Sequence, residues 1–216
     1  MPFAGQRSLL VGLLLSGIFT LGITTARADG LEVYAPLEQE PVWALEVHAS
    51  AIFPLERGAI CPSGSSCLLG GGFGAGAYLL RRDPDGIGLL VGYQVWLLDG
   101  GGVYEVGALH SLRLGVRWTI DNSSIVQPLL QATVGAVLLT DPAQATTAGG
   151  VVAGGAGMEI ELAPDVSLSL TAELAFFSVA AFQTRDGAVR AADFGVNVAL
   201  ETSAGLVVVL GSSAVR

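Results

Sequence analysis

The chain has no lysine; all 10 of its basic residues are arginine. Charged residues fill only 13% of its 216 positions, about half the ~25% usual in soluble domains. A water-exposed surface needs more charge than that. Acidic residues outnumber basic ones by 19 to 10, for a net charge of −9. That balance argues against a nucleic-acid-binding surface, which would be basic. There are two histidines and two cysteines. His48 and His110 lie well away from Cys61 and Cys67, so a zinc site of about four ligands is poorly supported. Beyond the first 28 residues no apolar run approaches the roughly 20 residues of a membrane helix. Yet hydrophobic residues make up 51% of the chain. The apolar surplus must therefore be carried by strands.

Residues 1–28 read as a signal peptide. Arg7 forms a short positive region, Leu9–Leu21 is apolar, and Ala26-Arg27-Ala28 is an A-x-A cleavage pattern. The apolar core is too short for a membrane anchor. Cleavage removes Arg7 and Arg27 and leaves the chain more acidic still. Residues 29–41 form an acidic, proline-containing lead-in, with a short extra strand expected at Leu31–Tyr34. In an oxidising compartment, Cys61 and Cys67 are expected to form a disulfide across a small loop.

From Val42 onward the chain alternates large apolar residues with small or polar ones, the period-2 signal of β-strands. Eight segments follow: Val42–Phe53, Gly71–Arg81, Ile87–Leu98, Tyr104–Thr119, Ile125–Thr140, Gly150–Leu162, Val166–Phe177 and Arg190–Glu201. The segment Val166–Phe177 is the cleanest. Val166, Leu168, Leu170, Ala172, Leu174 and Phe176 take one face; Ser167, Ser169, Thr171 and Glu173 take the other. Asp83, Asp85, Asp99, Asp121, Asp141, Asp165 and Asp186 fall between segments, as turn chemistry requires. The connections after segments two, four and six are short and the one after segment one is long. Short turns on one side and longer loops on the other suit a membrane barrel, although the connection after segment three is read as short too.

The second face decides between membrane and water. In a soluble sheet it would carry Lys, Glu and Arg. Here it is mostly Gly, Ser, Thr, Gln and Ala, which suits a narrow lumen. The apolar face is almost uncharged, as lipid demands. Backbone groups in lipid must all pair, which forces a closed barrel. The fold class expected is therefore all-β: a closed antiparallel up-and-down transmembrane barrel spanning residues 42–216. Leu206–Leu210 is an apolar run without a place among the eight segments, so the count lies between eight and ten strands, with eight favoured. Trp43 and Trp118 are assigned to an aromatic girdle at one end. Phe53, Phe73, Trp96, Tyr104 and Phe176 are assigned to the other.

The leader, the eight segments and the turn placement resemble the small outer-membrane β-barrel family typified by the OmpA transmembrane domain and OmpX. The resemblance is architectural and covers residues 42 to about 201. It implies an outer-membrane location in a Gram-negative-type envelope, lipid as partner, and a monomer. Members usually end in an aromatic-terminated strand, whereas this chain ends Gly211-Ser212-Ser213-Ala214-Val215-Arg216.

The lumen-phase charges are Glu46, Arg113, Arg117, Glu159, Glu161 and Glu173, with Asp193 in the same phase. We expect the first six to form an arginine–carboxylate network that fills the barrel, because buried charges need partners. His110 falls in the outward phase at mid-strand, which is costly and suggests a bulge or a different register. Glu46, His48 and Ser50 share one face and invite a hydrolase reading. Some outer-membrane lipid A deacylases carry a His-x-Ser pair, but there it faces lipid, and here it faces the lumen. Residues 70–76 form a glycine-rich string that opens a strand, not a helix, so a phosphate-binding loop fails its structural test. No enzyme activity, cofactor or metal is expected. The role expected is structural, a scaffold displaying outer loops to an unknown extracellular ligand. A narrow porin-like channel, a lipid-modifying enzyme and a soluble exported β-domain are the alternatives.

Overall fold

The computed structural model describes residues 40–56, 60–61, 67, 69–99, 107–140, 146–184, 187–191 and 195–210. The signal peptide, most of the lead-in with Leu31–Tyr34, Tyr104, Asp193 and the last six residues lie outside the described residues. Among the described residues there are ten strands: β1 (Val42–Glu56), β2 (Gly72–Arg82), β3 (Ile87–Leu98), β4 (Gly107–Thr119), β5 (Val126–Thr140), β6 (Thr146–Ala163), β7 (Val166–Val179), β8 (Phe182–Gln183), β9 (Val189–Arg190) and β10 (Asn197–Leu210). Eight of them close a barrel in the order β1-β10-β7-β6-β5-β4-β3-β2, every neighbouring pair antiparallel. Strands β8 and β9 form a separate hairpin between β7 and β10.

The alternation reads directly onto the two faces. Along β1, Ala44, Glu46, His48 and Ser50 are buried, while Trp43, Leu45, Val47 and Ala49 are exposed. The pattern inverts what water would select: the exposed face is the greasy one. Val47, Leu114, Val134 and Val152 are each at least half exposed.

The sequence reading needs correction at the closing strand, where it ends segment eight at Glu201 and gives Leu206–Leu210 no place. The strand is Asn197–Leu210, and that apolar run pairs with Trp43–Val47 of β1 to shut the barrel. The polar stretch Glu201-Thr202-Ser203 has the composition of a strand end. Glu201 and Ser203 instead point inward, where they find polar partners. Strand β4 is described from Gly107, so the start of the fourth segment, Tyr104–Val106, lies outside the described residues. Connections 83–86, 120–125 and 164–165 share one end of the barrel, and the remaining connections share the other. We call these the turn end and the loop end.

The glycines of β2 make room for rings. A Cβ on Gly74 would meet Trp96 Cδ1 at 2.8 Å, and one on Gly76 would meet His48 Nε2 at 2.6 Å. Across the ladder, a Cβ on Gly92 would clash with Tyr78 Cδ1. Gly92→Ala should therefore lower unfolding stability by about 1–3 kcal/mol through overpacking. Gly154 faces outward, and a Cβ there would find its nearest contact at 3.7 Å, so Gly154→Ala should change little. Urea unfolding of both variants in lipid vesicles compares them.

Candidate functional site: the barrel interior

The interior is layered. At the loop end Ile52, Trp96, Leu98, Leu109, Val137, Phe177 and Val179 pack with Ile60 and Leu69 of the first loop. Cys61 and Cys67, joined by a disulfide, rest against this cluster. Arg190, fully buried on β9, donates to the Ile60 carbonyl at 3.0 Å and so ties the β8–β9 hairpin to the first loop. At the turn end a smaller apolar cluster gathers Ala44, Tyr78, Leu80, Leu90 and Val207.

Charged and amide groups occupy the middle. Arg113 on β4 forms a bidentate pair with Glu201 on β10, at 2.8 and 2.7 Å. Those strands stand on opposite walls of the barrel, four places apart in the ring of eight. Arg113 Nε donates to Ser111 Oγ at 2.9 Å, and its guanidinium lies 5.3 Å from the centre of the Trp96 ring. Arg117, nearer the turn end on the same strand, donates to Glu46 at 2.6 Å and to Gln131 at 2.7 Å. Gln131 passes the chain on to Glu173 at 2.8 Å, and Glu173 lies 3.9 Å from Arg113. Closer still to the turn end, Arg82 on β2 holds Glu159 on β6 with a second bidentate bond, at 2.9 and 2.8 Å. Those two strands also face each other across the diameter.

Five of the six residues expected in a lumen network thus make ion pairs: Arg117 with Glu46 and Arg113 with Glu173 within the expected set, and Arg113 with Glu201 and Glu159 with Arg82 outside it. The sequence reading takes Glu201 as a strand end and Arg82 as part of a turn. Both are at inward phase, and that is the signal by which they could be found. Glu161 departs from the expectation. It is exposed beside a register shift between Glu161 and Ala163 and makes no ion pair among the described residues. The shift lets the end of β6 leave the lumen.

His48 stacks on Tyr78 with ring centres 4.9 Å apart. Its Nε2 accepts from Gln94 Nε2 at 2.8 Å, and its Nδ1 faces Glu46 at 3.7 Å. Both ring nitrogens are therefore turned to groups other than Ser50, and a hydrolytic pair needs the nucleophile bonded to the base. The described residues contain no cluster of three or more His, Cys, Asp or Glu able to hold a metal ion.

The aromatics divide. Trp43, Phe53, Phe73, Trp118 and Phe176 are exposed on the outer face. Trp96 is not: it is fully buried and fills the lumen beside Arg113. It shares the inward phase of Gly92 and Gln94, so alternation outweighs aromatic character in placing it. His110 does point outward, in a regular register with Val95 and Leu138 and no bulge. Its ring is satisfied by Tyr93 and Thr140.

A closed, eight-stranded antiparallel barrel with an apolar exterior and a polar, packed interior is the fold of the small outer-membrane barrels. No protein-family model matches the chain, and no curated protein matches it in sequence. Among solved structures, Neisserial surface protein A is similar with a TM-score of 0.56 at 17% identity, over 77% of this chain and 96% of that one. Also similar are Ail of Yersinia pestis in complex with the heparin analogue sucrose octasulfate (TM-score 0.43, 14% identity, 78% of this chain, 99% of that one) and a major outer membrane protein from Thermus thermophilus (0.43, 16%, 78% and 99%). The first of these supports the architecture.

Proposed function

We propose that the chain is an outer-membrane barrel that anchors and displays its loop-end segments and does not conduct solutes. The observation that carries this reading is closure of the interior at successive levels. Two bidentate arginine–carboxylate pairs span the diameter, Arg113–Glu201 and Arg82–Glu159. Above them the apolar cluster packs with Ile60, Leu69 and the Cys61–Cys67 disulfide. An eight-stranded barrel has room for side chains and little else. The membrane reading rests on the outer face, where an apolar surface around the whole barrel would be insoluble in water. Residues 1–28, as a cleaved signal peptide, would supply export.

Two measurements test this. Purified chain lacking residues 1–28 should require detergent to stay monodisperse, and a monodisperse sample in plain buffer would overturn the membrane reading. Reconstituted into a planar bilayer with the disulfide intact, it should show no stepwise conductance. Stable unitary steps would favour a narrow channel instead.

A further inference from the structure

The outer face of β3, β4 and β5 bears one hydroxyl–imidazole cluster, which the interior does not use. The Tyr93 hydroxyl bonds His110 Nδ1, and His110 Nε2 lies 3.1 Å from Thr140 Oγ1. Thr140 Oγ1 lies 3.4 Å from the Ala108 carbonyl oxygen.

The direction of the hydrogens follows from the last member. A carbonyl oxygen can only accept, so the Thr140 hydroxyl hydrogen points to Ala108. Thr140 Oγ1 then accepts from His110 Nε2–H. With its hydrogen on Nε2, the neutral ring accepts at Nδ1, and Tyr93 O–H is the donor. Every hydrogen in the cluster is thereby committed within it. What remains facing out is the Tyr93 phenol oxygen, an acceptor strengthened by its own donation. Tyr93 is half exposed.

The height of the cluster is set by register. Phe73 pairs with Leu97, Leu97 with Ala108, and Ala108 with Thr140, which forms an outer row at the loop end. His110 lies one row inward, between Val95 and Leu138. Because the strands are tilted, that row climbs from Phe73 toward Thr140, and the step of two residues back along β4, about 5 Å, returns His110 to near the level of Phe73. Exposed aromatics such as Phe73 mark the interface between headgroups and hydrocarbon. The cluster therefore sits where acyl chains join their headgroups.

From this we infer that Tyr93, His110 and Thr140 form a lipid-recognition site for a lipid with a hydrogen-bond donor, a hydroxyl or an amide N–H, at its acyl linkage. A diester glycerophospholipid offers only acceptors at that level and would leave the phenol oxygen unpaired against hydrocarbon. The inference rests on the membrane reading above.

The probe pair is sphingomyelin and phosphatidylcholine. They share a phosphocholine headgroup and differ at the linkage, an amide with a neighbouring hydroxyl against two esters. Detergent-solubilised chain offered both lipids in equal amount should retain sphingomyelin about fivefold over phosphatidylcholine by native mass spectrometry, the worth of a single hydrogen bond. Tyr93→Phe, which keeps the ring, should bring the ratio to within about twofold of unity. Thr202→Val, elsewhere on the outer face, should leave the preference in place. Equal retention by the parent, or a preference that survives Tyr93→Phe, overturns the site. A chain that needs no detergent overturns the membrane reading itself, so the two failures are distinguishable.

Discussion

Arg113→Ala should cost about 3–5 kcal/mol of unfolding free energy, more than a glycine replacement in the same interior. The size comes from what is left behind. Arg113 is 2% exposed and holds Glu201 with two bonds, with Glu173 close by. Removing the guanidinium leaves Glu201 buried beside Glu173 with no cation between them. The intact pair need not be strongly stabilising in itself, because taking both charges out of water offsets most of their attraction. The double variant Arg113→Leu with Glu201→Leu should therefore recover most of the loss. Urea unfolding in lipid vesicles, followed by tryptophan fluorescence and gel mobility, gives the comparison. If the single variant unfolds like the parent, the interior pairs are loose and the barrel does not depend on them. If the double variant is no better than the single, packing at this level matters more than charge.

Leu114→Arg should cost about 2–4 kcal/mol in vesicles. Leu114 is 60% exposed, near the middle of β4. In a protein surrounded by water, a charge at so exposed a position would change stability by about 0.5 kcal/mol or less. In hydrocarbon it meets the full desolvation penalty. Ile125 serves as the internal comparison. It is 66% exposed at the turn end, just before β5, and Ile125→Arg should cost about 0–1 kcal/mol because it can reach the interface. A depth-dependent difference between the two variants is specific to a bilayer. Equal, near-zero effects would place the outer face in water and remove the basis of the proposed function.

Together these substitutions probe the two faces of one alternation. Inward positions carry charge only where a partner stands across the lumen, as with Arg82 and Glu159. Outward positions carry almost none. The cluster at His110 shows how a polar residue survives on the outer face, with both ring nitrogens bonded to neighbouring strands.

Much of this is legible in the chain itself. Period-2 alternation defines two faces for every strand without reference to any other strand, so the inward set Glu46, Arg113, Arg117, Glu159 and Glu173 follows from parity alone. The scarcity of charge, and its confinement largely to turns and one face, marks the other set as greasy. Strand ends are less legible where a strand carries its own polar middle. Glu201-Thr202-Ser203 resembles a turn because the partners of Glu201 and Ser203, Arg113 and Thr171, lie far away in sequence. Trp96 goes to a girdle if judged by residue type, although its parity puts it inside.

What the sequence by itself determined is the facing of each residue, because that depends only on local backbone geometry. Which residues meet was decided by the closed barrel. Closure brings β10 against β1 and sets β4 opposite β10 and β2 opposite β6, and only then does each arginine acquire its carboxylate. Partner choice depends on strand order and stagger around the whole ring, which no short stretch of chain contains.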